Sequence, residues 1–215
     1  RAWCRIVSGI ALLCATLTAQ AAGLPSVAFW YADEPPLGEL AQFDWVVLEP
    51  SHVTSSDISF LSAQGASPFA YLSIGELDAS EAEQYPEVAR AASTEVVNHG
   101  WNSRVMDLAS PVWQAHLLAQ AGAFRDQGYA GIFLDTLDSF TLLPKQEREG
   151  QRTALVQLLS ALKQAQPDLK LFFNRGFEVH AELEGAIDAV AAESLRAGWD
   201  AAANAYRAVP EEDRQ

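Results

Sequence analysis

The sequence predicts an α/β protein of the (β/α)8, TIM-like barrel class, truncated before its last strand. Three observations carry that expectation. Short apolar runs alternate with amphipathic stretches along most of the chain, the pattern of repeated βα units. The runs are mostly apolar rather than alternating, as strands buried on both faces must be. Polar residues, mainly carboxylates, follow the runs at their C-terminal ends, the edge where α/β proteins carry their chemistry.

The elements follow in order. Arg1 and Arg5 precede an apolar run from Ile6 to Leu17, and Ala19-Gln20-Ala21 fits a small-residue cleavage site, so residues 1–21 read as a secretory signal peptide. The run is shorter than the roughly 20 residues a membrane span needs, and Leu13 before Cys14 argues against lipid attachment there. Cys4 and Cys14 both lie in the leader, so the mature chain is expected to have no thiol, disulfide or cysteine–metal site. A bacterial periplasm or the exterior is the compartment this fits.

Strands are expected at Val27 to Tyr31, Trp45 to Leu48, Phe69 to Ile74, Arg104 to Met106, Gly131 to Leu134, Leu171 to Phe173 and Ala189 to Ala192. Between them, Ile58, Leu61 and Ser62 mark a short helix before Gly65. Ser110 and Pro111 open a longer one, whose apolar face of Trp113, Leu117, Ala121 and Phe124 is stopped at Gly128. Leu155, Leu158, Leu159, Leu162 and Ala165 form another face, ended by Pro167. No linker divides residues 22–215, which read as one domain, C-terminally incomplete because the polar end from Val209 to Gln215 does not resemble an eighth strand. Spacing alone also admits an open doubly wound sheet.

The formal charge is −14, and from Val27 to Asp107 there are 13 acidic residues against Arg90 and Arg104 alone. Nucleic acid is excluded as a partner, since phosphate binding needs a basic face. A cationic partner is the natural complement, with solubility the plainer use of such a charge.

Tyr31 and Asp33 follow the first strand, Glu49 the second, Glu76 the third, Asp107 the fourth, Asp135 and Asp138 the fifth, Asn174 and Arg175 the sixth and Glu193 the seventh. One such carboxylate is often only the cap of the next helix, but in a barrel all of these converge on one mouth. Glycosidic cleavage needs two carboxyls, one to protonate the leaving oxygen and one on the opposite face of the sugar. Asp135 and Glu193 are the best pair, since each ends a strongly apolar run and emerges from the core. Trp30 and Tyr31 are candidates either for stacking on sugar rings or for packing at the rim. No G-x-S-x-G elbow, phosphate-binding glycine loop or H-E-x-x-H pair occurs, and no cofactor or metal is expected. Of the four histidines only His52, near Glu49, is placed to sit beside the site.

Four ordered motifs carry a family resemblance: Tyr71 to Glu76 (YLSIGE), Gly128 to Ser139 (GYAGIFLDTLDS), Asn174 to Phe177 (NRGF) and Ala192 to Leu195 (AESL). They resemble the endo-α-1,4-polygalactosaminidase-like glycoside hydrolases, including the hydrolase domains that precede a deacetylase in exopolysaccharide systems. The resemblance implies a (β/α)8 barrel outside the cytoplasm that cuts a polymer rich in galactosamine and its N-acetyl form. It implies that Asp135 and Glu193 are the catalytic carboxyls, and that Tyr31, Glu76, Asp138 and Arg175 line the substrate groove; Asp33 and Asn174, at strand ends of the same mouth, are expected to bind substrate with them. It implies retention, with Asp135 as nucleophile and Glu193 as acid and base. The expected partner is a cationic amino-sugar polysaccharide, with exopolysaccharide export machinery as a further one. No deacetylase domain is expected in this stretch of chain.

Overall fold

Apolar runs too short to make stable helices bury their backbone polar groups best by pairing with one another, and six of the seven expected runs do so. The computed structural model describes residues 23–200, 203 and 205–211, so the leader expected over residues 1–21, with both cysteines, lies outside the described residues. Along the chain, β1 (Val27–Trp30) is followed by one helical turn, α1 (Leu37–Leu40), and by β2 (Trp45–Leu48). Helix α2 (Ser55–Ala63) leads to β3 (Ser67–Ser73). An excursion of β4 (Glu76–Asp78), α3 (Ala79–Gln84), α4 (Pro86–Ala92), β5 (Ser93–Asn98) and β6 (Ser103–Met106) follows. Helix α5 (Pro111–Gln127) then returns the chain to β7 (Gly131–Asp135). Next come α6 (Lys145–Ala165), β8 (Lys170–Asn174) and β9 (Ala189–Ala191), and last β10 (Ala197–Asp200) and β11 (Ala205–Ala208).

The main sheet is parallel, in the order β1-β2-β3-β7-β8-β9, with helices in all but the last of its connections, so it is the curled sheet of a (β/α)8-type barrel. Among the described residues β1 and β9 each have one neighbour, and the sheet does not close. One expected strand belongs elsewhere. Arg104 to Met106 lies in β6, the centre of a separate antiparallel sheet ordered β4-β6-β5. Ser103 and Val105 are buried and Arg104 between them is exposed, the alternation of a one-faced antiparallel strand, which lasts until the buried Met106. Strand β3 therefore pairs directly with β7, Tyr71 opposite Phe133 and Ser73 opposite Asp135. The β10–β11 hairpin was likewise not anticipated.

The helices obey local rules. Thr54 and Asp57 form a reciprocal capping box at the start of α2, each side chain accepting from the other's backbone N–H. Helix α5 opens on Pro111 and stops at Gly128, whose φ of 95° is cheap only for glycine. Helix α6 starts at Lys145, well ahead of the apolar face that marked it in the sequence, and ends at Ala165 just before Pro167.

Strand alternation sorts the core into two parts. Val46, Leu48, Ala70, Leu72, Ile132, Leu134, Leu171 and Phe173 face outward into the large core shared with the helices. Val47, Phe69, Phe133 and Phe172 face inward and make a small aromatic barrel interior, with Val27, Trp45, Tyr71, Ala189 and Ala191 packed on it. Gly131 shares this inward parity, and a Cβ there would lie 2.4 Å from the Phe69 ring, so a glycine lets that ring cross the interior. Phe29, on the inner face of the edge strand β1, packs against the Phe133 ring with centroids 5.2 Å apart and stays 44% exposed.

Candidate active site

The inward parity that places Phe133, Phe172 and Ala191 in the barrel also decides what stands at its mouth. Two residues beyond each of them come Asp135, Asn174 and Glu193. These three lie on or just after adjacent strands β7, β8 and β9, and they meet. The Nδ2 of Asn174 donates to Asp135 Oδ1 at 2.8 Å and to Glu193 Oε2 at 2.5 Å. Two oxygens held by one nitrogen can be no farther apart than the sum of those distances. That limit falls within the about 5–5.5 Å of retaining carboxyl pairs and short of the about 6.5 Å at which inverting pairs begin. Asn174 is buried, Asp135 half-buried and Glu193 exposed.

The second oxygen of Asp135 is also engaged. Tyr71 reaches across from β3 and donates its hydroxyl to Oδ2 at 2.7 Å. Tyr31 leans edge-on against Tyr71, ring centroids 5.3 Å apart. Burial, and then the nearby charges of Asp135, Glu193 and Glu49, push the Tyr31 phenol well above its ordinary range. Burial, the charge of Asp135 and the bond to it do the same for Tyr71. Both phenols therefore stay protonated at neutral pH, and Tyr71 remains a hydrogen-bond donor. Glu49, at the end of β2, caps the turn of Pro50–His52 by accepting from Ser51.

The remaining candidates separate. Asp33 is a rim residue paired with His52 at 3.2 Å, and the other ring nitrogen of His52 bonds the Tyr31 carbonyl oxygen at 2.9 Å. His52 thus ties the loops after β1 and β2 together. Asp138 pairs with Arg175 at 3.3 Å; burial raises its carboxyl above the usual range and the guanidinium opposes that shift. Glu76 is a correction. It is 4% exposed, and its carboxylate accepts from Asn98, Ser103 and Ser139, so it is a buried tie between the side sheet and the turn after β7 rather than a groove carboxylate. Trp30 has the opposite parity to Tyr31 and packs into the outer core, away from the mouth. Asp107 bonds the backbone of Ala109 and the side chain of Gln151, as a structural cap does.

Backbone strain gathers at the same place. Thr136, Arg175 and Ser194 directly follow the three bonded residues, and all have left-handed φ, at 59°, 57° and 57°. Such values are uncommon outside glycine and a true outlier for a β-branched residue; strain of this kind concentrates at functional sites. The Thr136 hydroxyl accounts for its own tolerance. It accepts from the backbone N–H of Ile74 at 3.1 Å and of Gly75 at 2.8 Å, stitching the end of β3 to that of β7. No group of three or more His, Cys, Asp or Glu among the described residues is arranged to hold a metal ion.

Comparison with known proteins bears on the family and the fold. The sequence model of glycoside-hydrolase family GH114 matches residues 17–212. The glycoside hydrolase domain of PelA from Pseudomonas aeruginosa is 58% identical over 88% of this chain and 76% of its own, with a TM-score of 0.83. Ega3 from Aspergillus fumigatus, solved in complex with galactosamine, is 11% identical over 77% of this chain and 64% of its own, with a TM-score of 0.57. The alpha-galactosidase TtGalA from Thermus thermophilus is 13% identical over 69% of this chain and 37% of its own, at a TM-score of 0.54. These last two bear on the fold alone. No curated protein matches in sequence.

Proposed function

Because the chain belongs to glycoside-hydrolase family GH114, we propose that it cleaves the α-1,4 linkages of a cationic exopolysaccharide rich in galactosamine and N-acetylgalactosamine, with Asp135 as nucleophile and Glu193 as acid and base. The observation that carries the assignment is the carboxyl pair bridged by one amide at the ends of β7, β8 and β9. Its spacing supports retention. Both oxygens of Asp135 accept hydrogen bonds, which suits a fixed carboxylate poised to attack. Glu193 is exposed, and hydrogen-bonds through Oε2, which suits a group that exchanges protons with substrate and water.

In the first step an Asp135 oxygen bonds to the anomeric carbon, the glycosidic C–O bond breaks, and the leaving oxygen takes the proton of Glu193. In the second step water attacks the same carbon and gives its proton to Glu193, and the bond to Asp135 breaks. The configuration is kept because both attacks invert.

The substrate class follows from charge and from the four motifs. A partly deacetylated galactosamine polymer carries ammonium groups at neutral pH, and an acidic surface concentrates it. Tyr31, 44% exposed at the mouth, presents a ring face on which a pyranose can stack. The leader-like residues 1–21 support a site of action outside the cytoplasm, within reach of exopolysaccharide export machinery. Incubation with defined acetylated and free galactosamine oligomers tests the reading. New reducing ends, formed first as the retained anomer, are the expected products. Binding without any release of reducing ends would make the chain a polysaccharide-binding module instead.

A further inference from the structure

Asn174 stands between two carboxylates without neutralising either, and that arrangement calls for its own explanation. Its strand, β8, lies between those of Asp135 and Glu193, and the two hydrogens of one NH2 group point to opposite neighbours. The amide cannot be turned over, because its oxygen would then face both carboxylates. Asn174 is 7% exposed, so its NH2 group is spent on the two carboxylates rather than on solvent. It is not a surface group whose hydrogens water could serve equally well. Nor does Oδ1 have the exposure to touch a sugar. Few side chains meet the demand: Ser offers one hydrogen, Asp none when ionised, Gln is a methylene too long, and Lys or Arg would cancel the charge the chemistry uses.

Resting on the proposed roles of Asp135 and Glu193, we infer that Asn174 is the positioning residue of the reaction: its single amide sets the separation of the two carboxyls and holds Glu193 Oε2 as an acceptor, so that the transferable proton sits on Oε1. The proton is thereby kept on the side of Glu193 turned away from Asp135, where a leaving oxygen can take it. The same N–H groups serve both steps. While Asp135 is ionised, its bond to the amide is the charge-assisted one; once Asp135 is esterified and Glu193 has given up its proton, the bond to Glu193 becomes so. The other titratable groups around the pair are Tyr71 and Tyr31, both held as neutral phenols, with Glu49 beyond them and the Asp138–Arg175 pair beside Asp135.

The test compares Asn174→Ala and Asn174→Asp in the full chain with Asp135→Asn and Glu193→Gln, measuring kcat and KM on one galactosamine oligomer from about pH 4 to about pH 9. An amide donor favours the charged form of each carboxyl, so its loss moves both limbs of the bell-shaped profile to higher pH. The expected result for Asn174→Ala is a kcat lowered about 100-fold, a KM within about twofold, and both limbs displaced upward. Asn174→Asp keeps the shape of the side chain, adds a third carboxyl, and displaces the limbs further, so it carries the test if the alanine variant fails to fold. A raised KM with kcat intact would make Asn174 a sugar contact, and limbs that stay in place would make it merely structural; either overturns the inference. Turnover surviving in Asp135→Asn or Glu193→Gln would instead remove the catalytic pair itself, a different failure from an unmoved pH profile beside two inactive carboxyl variants.

Discussion

Both oxygens of Asp135 are engaged, one by an amide and one by a phenol, and the two donors are separable by mutation. On the roles proposed for them, replacing Asp135 by Asn or Glu193 by Gln is expected to lower turnover by about 10³-fold or more, because the proposed nucleophile or proton donor is gone. The fold should survive, and an unchanged thermal transition beside lost reducing-end release checks both points. Tyr71→Phe removes a hydrogen bond to a charged group, worth about 1.5–3 kcal/mol, so the thermal transition should drop by several degrees, and kcat measured well below it should fall by about 10- to 100-fold. Asp135 and Glu193 stood out in the sequence because each ends a run of otherwise apolar residues, but such a carboxyl can also be a mere helix cap; that one amide bonds both is legible only in the structure. Tyr71 did not stand out, since an aromatic residue inside an apolar strand reads as core; only the observed register shows that its hydroxyl reaches the next strand's last residue. Glu76 read as a groove residue because its burial depends on Asn98, Ser103 and Ser139, partners distant in sequence that no local pattern announces.

At the scale of elements, the side sheet and its short helices carry a titrating group of their own. Glu81, on α3, is raised from its ordinary value to about 7 by burial and by the charges of Asp78 and Glu49. A folded-state value above the unfolded one means that the folded protein binds the extra proton. Stability from this group is therefore full below about pH 4.5 and lost as the pH rises through about 7. Glu81→Gln should raise the melting temperature more at pH 7.5 than at pH 5; an equal effect at the two pH values would show that Glu81 titrates normally. The element-level reading of the sequence succeeded where local chemistry decides. Pro111 and Gly128 bounded α5, and fully apolar runs marked the parallel strands. It missed β4 and β5 and misassigned β6, because Arg104-Val105-Met106 is too short to show whether one face or two is buried.

For the whole molecule, charge and closure matter most. If an acidic surface draws a polymer of ammonium groups, binding should weaken steeply with salt, as charges are screened over about 10 Å at 0.1 M ionic strength. An affinity indifferent to added salt would mean that stacking and hydrogen bonds dominate. Strands β1 and β9 each lack a second neighbour among the described residues, and Phe29 lies open on the inner face. Residues 22–215 expressed alone should therefore self-associate through these edges, which sedimentation at rising concentration would reveal. A monomer at all concentrations would contradict that expectation.

The β3–β7 seam has a consequence for how the protein comes into being. Tyr71 pairs with Phe133 and Ser73 with Asp135, so the two halves of the sheet are stitched by residues far apart in the sequence. Such a junction is entropically slow to form. The first half supplies the phenol and the second half all three bonded residues Asp135, Asn174 and Glu193. Hydrolytic competence should then appear as the last event of refolding, lagging the recovery of helix signal. The same division makes the chain a candidate for a split reporter. Two fragments parted in the turn near Gly100, between β5 and β6, would each be inert, and activity would return only when they find one another.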